Sequence, residues 1–460
     1  MKKIIIPAST SFFVRNFLRN GFASALRDAG FAPVFLAPAE KLSYYREQFT
    51  AEGVVFDALP EASALRADRF FKKLEGWSIH SRFVALAHWY YLLRPDAQEW
   101  LPVRLILFPV RMALWQLGRL RLWRTFVRVL FSLVPHRPIR EFLLLRRPDA
   151  VFCPFMNVGQ EWHFLKEAKK LGIMTIGMTP SWDNFCSKTF LRVQPDTLLV
   201  QTNLMREQAV SFADYPRENI TVTGVPQYDR YFLRHGIMPR EAFLQSIGAD
   251  PRKKLIVYAC SGKITYAVDV AMLPILHRII TRGDFPLPAQ VLVRPHPKRV
   301  LASVVLEHAR RAYGFIAEEP ASRLAVSRDP WEFDERALSL LANTLAHADL
   351  VITTCTTFFV EAAIFGAPLI AIGFDPGKKR LYANSARRFF EWEHLADLGR
   401  TGGVSRIESE AELAPAARAY LADKTLHADG RKRVVAEQAV FTDGKSLARI
   451  VAALRAIVYH

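Results

Sequence analysis

The first 60 residues alternate between short, almost wholly apolar runs and longer stretches whose apolar positions recur with helical spacing. KKIIIPA, APVFLAP and GVVFDAL read as strands, with helices predicted over Phe12 to Ala29 and Glu40 to Phe49. Runs that are apolar on both alternating faces indicate strands buried on both sides, and alternation with helices indicates a parallel sheet. The pattern stops near Glu61. It resumes at DAVFCPF (Asp149 to Phe155), followed by a helix over Trp162 to Leu171 and the strands MTIGMTP, TLLVQT and ITVTG. A second series starts at KLIVYACSG (Lys254 to Gly262). It continues as helix Val268 to Thr281, strand QVLVRPHP, helix Leu301 to Ala312, a weaker strand RLAVS and helix Glu335 to Ala348. Strand DLVITTC, helix Phe358 to Phe365 and strand PLIAIGF close it.

At 460 residues the chain is longer than one hydrophobic core usually serves. The expected fold class is α/β, with two Rossmann-like domains and a cleft between them: residues 1–235 and 236–460. Residues 61–147 are a helical insertion in the first, and GVPQYDRYFLRHG is the passage between the two. Helical periodicity from Asp429 to Tyr459 allows the last helix to return to the first domain.

Charge sharpens the reading of the insertion. The chain carries a formal charge of +18, and residues 61–147 hold 16 Lys or Arg against 6 Asp or Glu. Uncharged runs such as LILFPV and MALWQLG fall far short of the ~20 residues that span a bilayer. WRTFVRVLF (Trp123 to Phe131) interleaves Arg with Trp, Phe and Leu as interfacial helices do, which favours an anionic membrane surface over a merely solvated face. No recognition-helix, RNP or zinc-finger pattern supports nucleic acid as the polyanion. The apolar run of MKKIIIPASTSFF is too short for a signal peptide, and the four cysteines lack redox or zinc spacing. A cytoplasmic protein, peripheral on the inner face of the plasma membrane, is the expectation.

Candidate chemistry gathers where predicted strands run out into polar residues, the edge at which open α/β sheets place ligands. QVLVRPHPKR offers Arg294 and His296 as donors to a phosphate, although Arg294 has a structural carboxylate as its alternative partner. In TTCTT, Thr356 and Thr357 lie at a helix start, whose free N–H groups favour an anion. Glu361, one turn further, either accepts from a ribose diol or complements the helix N-terminus. SGK supplies Ser261 and Lys263 but is no P-loop, because the upstream glycine is missing and Ile264 replaces the magnesium-binding hydroxyl. Asp183, in the loop TPSWDNFCSK, is a candidate general base for an acceptor hydroxyl, or an ordinary turn residue. TGVPQYDRY reads chiefly as a hinge, with Gln227 and Asp229 as lesser ligand candidates. No GxGxxG, no HExxH and no pair of aspartates one residue apart occurs, so metal ligands are not assigned.

Together, SWDN, TGVPQYDRYF, RPHP and TTCTTFFVEAAIFGAPLI resemble bacterial GT-B glycosyltransferases of surface-polysaccharide biosynthesis, capsule and lipopolysaccharide included. The resemblance extends to capsule Kdo transferases and CDP-glycerol glycerophosphotransferases, and covers about Asp149 to Asp375. It implies a nucleotide-activated donor held as substrate by the C-terminal domain, no permanently bound cofactor, and a glycan or lipid-linked acceptor on the N-terminal domain. It further implies that His296, Thr356 and Thr357 contact the donor phosphates and that Glu361 holds the ribose. The rivals are transfer of a polyol phosphate from a CDP-linked donor and non-hydrolysing epimerisation of a sugar nucleotide.

Overall fold

The computed structural model describes residues 1–50, 53–60, 66–94, 99–262, 265–283, 285, 287–296, 303–318, 322–323 and 331–459. The chain divides into two compact units, the first comprising Met1–Asp229 and Val440–His460 and the second Arg230–Arg323 and Trp331–Ala439.

Unit 1 is built on seven parallel strands: β1 (Lys2–Pro7), β2 (Phe31–Ala37), β3 (Phe56–Ala58), β4 (Ala150–Cys153), β5 (Met174–Met178), β6 (Thr197–Val200) and β7 (Ile220–Val222). Their order is β3-β2-β1-β4-β5-β6-β7, paired in parallel throughout. Ile4 to Ile6 and Ala150 to Cys153 are wholly buried, as expected of strands covered on both faces. The helix expected over Phe12 to Ala29 is interrupted. Gly21, at φ 80°, separates a helical turn at Leu18–Asn20 from the helix Phe22–Asp28, a left-handed conformation that glycine adopts without a Cβ clash. The last helix, Ser446–Tyr459, belongs to unit 1. Leu447, Ile450, Val451 and Leu454 join Phe13, Phe17, Phe22 and Leu26 in its core.

Among the described residues, five helices lie between β3 and β4: Arg66–Ser78, Arg82–Leu93, Leu101–Leu117, Arg121–Leu133 and Arg137–Arg146. The buried carboxylate of Glu75 ties them to the unit. It accepts from Thr189 Oγ1 at 2.7 Å and from the Phe190 and Arg192 N–H groups at 3.2 Å, and pairs with the Arg192 guanidinium at 2.6 Å.

Unit 2 has six parallel strands in the order β10-β9-β8-β13-β14-β15: β8 (Lys254–Ala259), β9 (Ala289–Arg294), β10 (Ile316–Ala317), β13 (Leu350–Thr353), β14 (Leu369–Ile372) and β15 (Ser405–Ile407). The strand expected at RLAVS falls mostly outside the described residues. Its neighbourhood contributes β11 (Ser322–Arg323), antiparallel to β12 (Trp331–Glu332). GVPQYDRYFLRHG is helical over Pro226–Phe232, and the unit boundary falls after Asp229.

Candidate functional site

In unit 2 the direction of winding reverses between β8 and β13, so the loops at their carboxyl ends diverge and leave room for a ligand. Ser261 follows β8 and Thr353 ends β13. Their hydroxyl oxygens are 3.2 Å apart, Ser261 Oγ accepts the Cys355 N–H at 3.2 Å, and Thr353 Oγ1 donates to the Ala259 carbonyl at 2.7 Å. Half-buried Ser261 is thereby a clasp between the two loops.

Below the β8 loop lies Asp269, 1% exposed. Its carboxylate accepts from Thr265 Oγ1 at 3.0 Å and Tyr258 Oη at 3.1 Å, and from the N–H groups of Gly262 and Ser261. Burial outweighs these donors and pushes the group up to about 7. An internal acceptor therefore shapes the loop that carries Ser261. Lys263 lies outside the described residues.

His296 is half-buried, two residues past β9. Since β9, β8 and β13 are neighbours, His296, Ser261 and the Thr353–Thr357 segment come from three adjacent carboxyl ends. Thr356 is half-buried and its Oγ1 accepts the Phe358 N–H at 3.3 Å. Thr357 is exposed, and its hydroxyl does not cap the helix Phe358–Ile364.

Two of the expected ligand contacts have internal partners. Arg294, 5% exposed, is ion-paired with Glu318, also 5% exposed. A buried guanidinium is costly without a countercharge, and Glu318, one residue past β10, supplies it. Arg294 thus has the structural carboxylate partner that the sequence left open for it. Glu361 is buried and accepts the Tyr231 hydroxyl at 2.9 Å.

Asp183, in unit 1, occupies the N-cap position of the short helix Asn184–Ser187. Its carboxylate accepts from Asn184 Nδ2 at 2.9 Å and Ser187 Oγ at 3.1 Å and pairs with Lys188 Nζ at 3.0 Å. Three local donors thus hold this carboxylate, while a fifth of the side chain stays exposed. Gln227 accepts from Arg15, and Asp229 accepts the N–H groups of Ser446 and Leu447 at 2.9 and 2.8 Å.

The sequence reading missed Asp269 and Arg388. The Thr265/Asp269 pair, four apart on a helix entered from a strand's carboxyl end, was a visible signal; Arg388 offered none. Arg388 is 5% exposed and donates to the Ala383 carbonyl. Burial raises the Cys355 thiol and Asp269 adds to the shift, while the charge of Arg388 opposes it, which places a buried cation beside the β13 loop. Among the described residues no three His, Cys, Asp or Glu side chains group so as to hold a metal ion.

No family model matches the sequence, and no curated protein matches it. Solved structures resemble it over nearly their whole length. An assigned UDP-N-acetylglucosamine 2-epimerase from Listeria monocytogenes has a TM-score of 0.57 at 14% identity, covering 99% of this chain and 96% of that one. The UDP-GlcNAc 2-epimerase of Neisseria meningitidis, bound to UDP-GlcNAc, has a TM-score of 0.54 at 10% identity, covering 99% of both chains. A glycosyltransferase of Rickettsia africae has a TM-score of 0.53 at 10% identity, covering 99% and 98%. At such identities the likeness establishes the fold, which is GT-B-like with two Rossmann-like units.

Proposed function

We propose that the protein is a metal-independent glycosyltransferase of bacterial surface-polysaccharide biosynthesis, moving a sugar from a nucleotide-activated donor to a glycan or lipid-linked acceptor. The Ser261 clasp at the β8/β13 reversal carries this reading. It fixes hydroxyls and N–H groups at the edge where such sheets bind phosphates. His296 comes from the neighbouring strand end and Thr356 from the same loop as Cys355, Thr357 lies open to solvent, and the charge of Arg388 acts on Cys355 of that loop. Breaking the bond to an activated sugar develops negative charge on the departing phosphate, and fixed donors lower that barrier without reorganising.

A thermal-shift panel of UDP, GDP, CMP and CDP tests it. A ligand bound only by the folded chain stabilises it by about 2.7 kcal/mol at a hundred times its Kd, so one base should raise Tm, and Ser261→Ala should abolish the rise. His296→Ala should keep the ligand-free Tm while transfer falls steeply. A chain unmoved by every nucleotide, or a fully active His296→Ala variant, overturns the proposal.

Epimerisation of a sugar nucleotide is the second reading, favoured by the two epimerases among the structures described above. It would release an altered nucleotide sugar from donor alone, which NMR of the donor without acceptor detects. A response confined to CDP would point instead to polyol-phosphate transfer.

The proposed second partner, on the inner face of the plasma membrane, is an anionic lipid surface met by residues 61–147, so far as they are described. Among the described residues no helix is long and apolar enough to cross a membrane. Yet the helix Leu101–Leu117 has no buried residue, with Leu105 at 54% and Ile106 at 68% exposure. From Trp100 to Arg140 the sequence has eight Arg and no Lys, Asp or Glu.

A further inference from the structure

The amino edge of the sheet in unit 2 carries a cavity that the proposed reaction does not use. It measures about 320 Å³, and five cations line it, Arg240, Arg252, Lys253, Lys254 and Lys424, together with the acid Asp349. Lys254 opens β8 and Asp349 directly precedes β13, while Arg240 opens the helix Arg240–Ser246 and Lys424 follows the helix Leu413–Ala422. Ser261 lies past the other end of β8, on the order of 20 Å away at about 3.3 Å per strand residue. The cavity and the Ser261 clasp therefore occupy opposite edges of one sheet.

Asp349 gathers these cations without neutralising them. Its side chain is 3% exposed and both oxygens are taken. Oδ2 accepts the Leu255 N–H at 2.8 Å and pairs with Arg240 at 2.6 Å, while Oδ1 pairs with Lys424 at 2.5 Å and lies 3.5 Å from Lys254. Arg240 is fixed further by the His347 carbonyl at 2.6 Å and the Lys253 carbonyl at 3.3 Å. One countercharge suffices for one buried acid, and three cations drawn to a single carboxylate repel one another. The Lys254 contact is too long for a good hydrogen bond, and each ammonium has three N–H donors, so both lysines keep donors for a second anion. Their side chains are 30% and 46% exposed. Arg252 pairs with Asp250 at 3.2 Å, and exposed Lys253 forms no ion pair among the described residues.

We infer that the amino edge of β8 and β13 is a binding site for a small, multiply charged oxyanion of the phosphate or pyrophosphate class, contacted by Lys254 and Lys424, with Arg252 and Lys253 at its rim and Asp349 as a positioning residue beneath. Excess positive charge around a concave space concentrates such an anion, and charge-assisted N–H···O⁻ bonds hold it. Ligand pockets start at about 300 Å³, so a cavity of this size suits a compact anion and not a polymer.

The inference goes beyond the transferase reading and is tested apart from it. Isothermal titration calorimetry of the full chain at low salt, with sulfate, inorganic phosphate and inorganic pyrophosphate as probes, should show affinity rising from sulfate to pyrophosphate. Lys254→Gln with Lys424→Gln removes two charged donors and should weaken pyrophosphate binding at least about tenfold. That variant should stay folded by circular dichroism, because Arg240 and the Leu255 N–H still hold Asp349. Arg252→Gln with Lys253→Gln alters residues that do not touch Asp349 and should weaken binding about threefold through lost charge, which keeps the test decisive if the first variant unfolds. Arg119→Gln with Arg121→Gln, exposed cations of unit 1, should leave binding unchanged, and so should Ser261→Ala at the opposite edge. Absence of pyrophosphate binding, equal affinity for sulfate, wild-type binding by either pocket variant, or an equal loss in the unit 1 control overturns the inference. Loss of binding in Ser261→Ala also overturns it, by placing the anion at the donor edge. Nucleotide-induced Tm shifts without pyrophosphate binding sink this site and leave the donor site standing, and the converse result sinks the donor site alone.

Discussion

A carboxyl group removed from water holds its proton unless donors and cations together compensate the loss, and three acids of this chain show how the balance falls. Burial works to raise all of them. At Asp349 it is overcome by Lys424 at 2.5 Å, the Leu255 N–H at 2.8 Å and Arg240 at 2.6 Å, and the group is held below its ordinary range. At Asp269 four uncharged donors leave it near 7, and at Glu161 two leave it near 8. Because Glu161 is raised from 4.5, its stabilising contribution is whole below that value and is lost as pH rises through about 8. Each pH unit in that window costs the wild type about 1.4 kcal/mol. Denaturation midpoints of Glu161→Gln and wild type should therefore converge near pH 5 and separate steadily toward pH 8, with the variant the more stable. Parallel curves would mean that Glu161 is ionised throughout. None of this ranking was legible in the sequence. Glu161 and Asp269 sit on helices, like many exposed acids, and what distinguishes them is how many donors distant strands bring to their oxygens.

Elements were easier to read than their junctions. Apolar runs such as KKIIIPA and DLVITTC show where strands lie, because burial on both faces leaves no polar alternation to confuse them. The passage TGVPQYDRY reads as a hinge from its Gly and Pro, and the unit boundary falls within it, after Asp229; it also makes contacts inside unit 1. Gly224 has φ 85°, and a Cβ there would lie 2.6 Å from Ser446 Oγ. Asp229 accepts the Ser446 and Leu447 N–H groups at the start of Ser446–Tyr459, two donors that a helix leaves unsatisfied. The motif seats the last helix in the core of unit 1, a partner more than 200 residues away that no local pattern reveals. Asp229→Ala should cost about 1 to 2 kcal/mol in urea unfolding, the usual worth of an N-cap, and Asp229→Asn less. Gly224→Ala should also be destabilising, since it adds strain at positive φ to a clash. Wild-type stability for both alanine variants would show that the helix is seated by its apolar face alone.

At the scale of the whole molecule, the insertion's composition was legible but its orientation was not. WRTFVRVLF suggests Arg residues facing a lipid surface. In the structure Arg124 and Arg128 turn inward to Asp214 at 2.5 and 3.4 Å, beside buried Val127 and Phe131. Asp214 lies 90 residues from Arg124 in sequence, so the inversion could not be seen along the chain. What faces outward on this helix is apolar: Leu122 is 84% exposed, Phe126 51%, Val129 53% and Leu133 69%. Monomeric soluble proteins seldom leave such a face open. Exposed Arg119 and Arg121 border it, with no carboxylate partner among the described residues. Membrane binding should then have two separable parts. Burying apolar side chains in the interface contributes up to about 1.5 to 3 kcal/mol each and is insensitive to salt, whereas each Arg contributes about 1 kcal/mol that salt screens. In flotation with phosphatidylglycerol vesicles, Leu122→Ser, Phe126→Ser, Val129→Ser and Leu133→Ser combined should reduce binding at least tenfold at any salt concentration. Arg119→Gln with Arg121→Gln should weaken it only at low salt, and should matter little on phosphatidylcholine. If the fourfold variant floats like wild type, the outward face serves something other than lipid. If all binding disappears at high salt, attraction is electrostatic alone and the inverted helix is not its anchor.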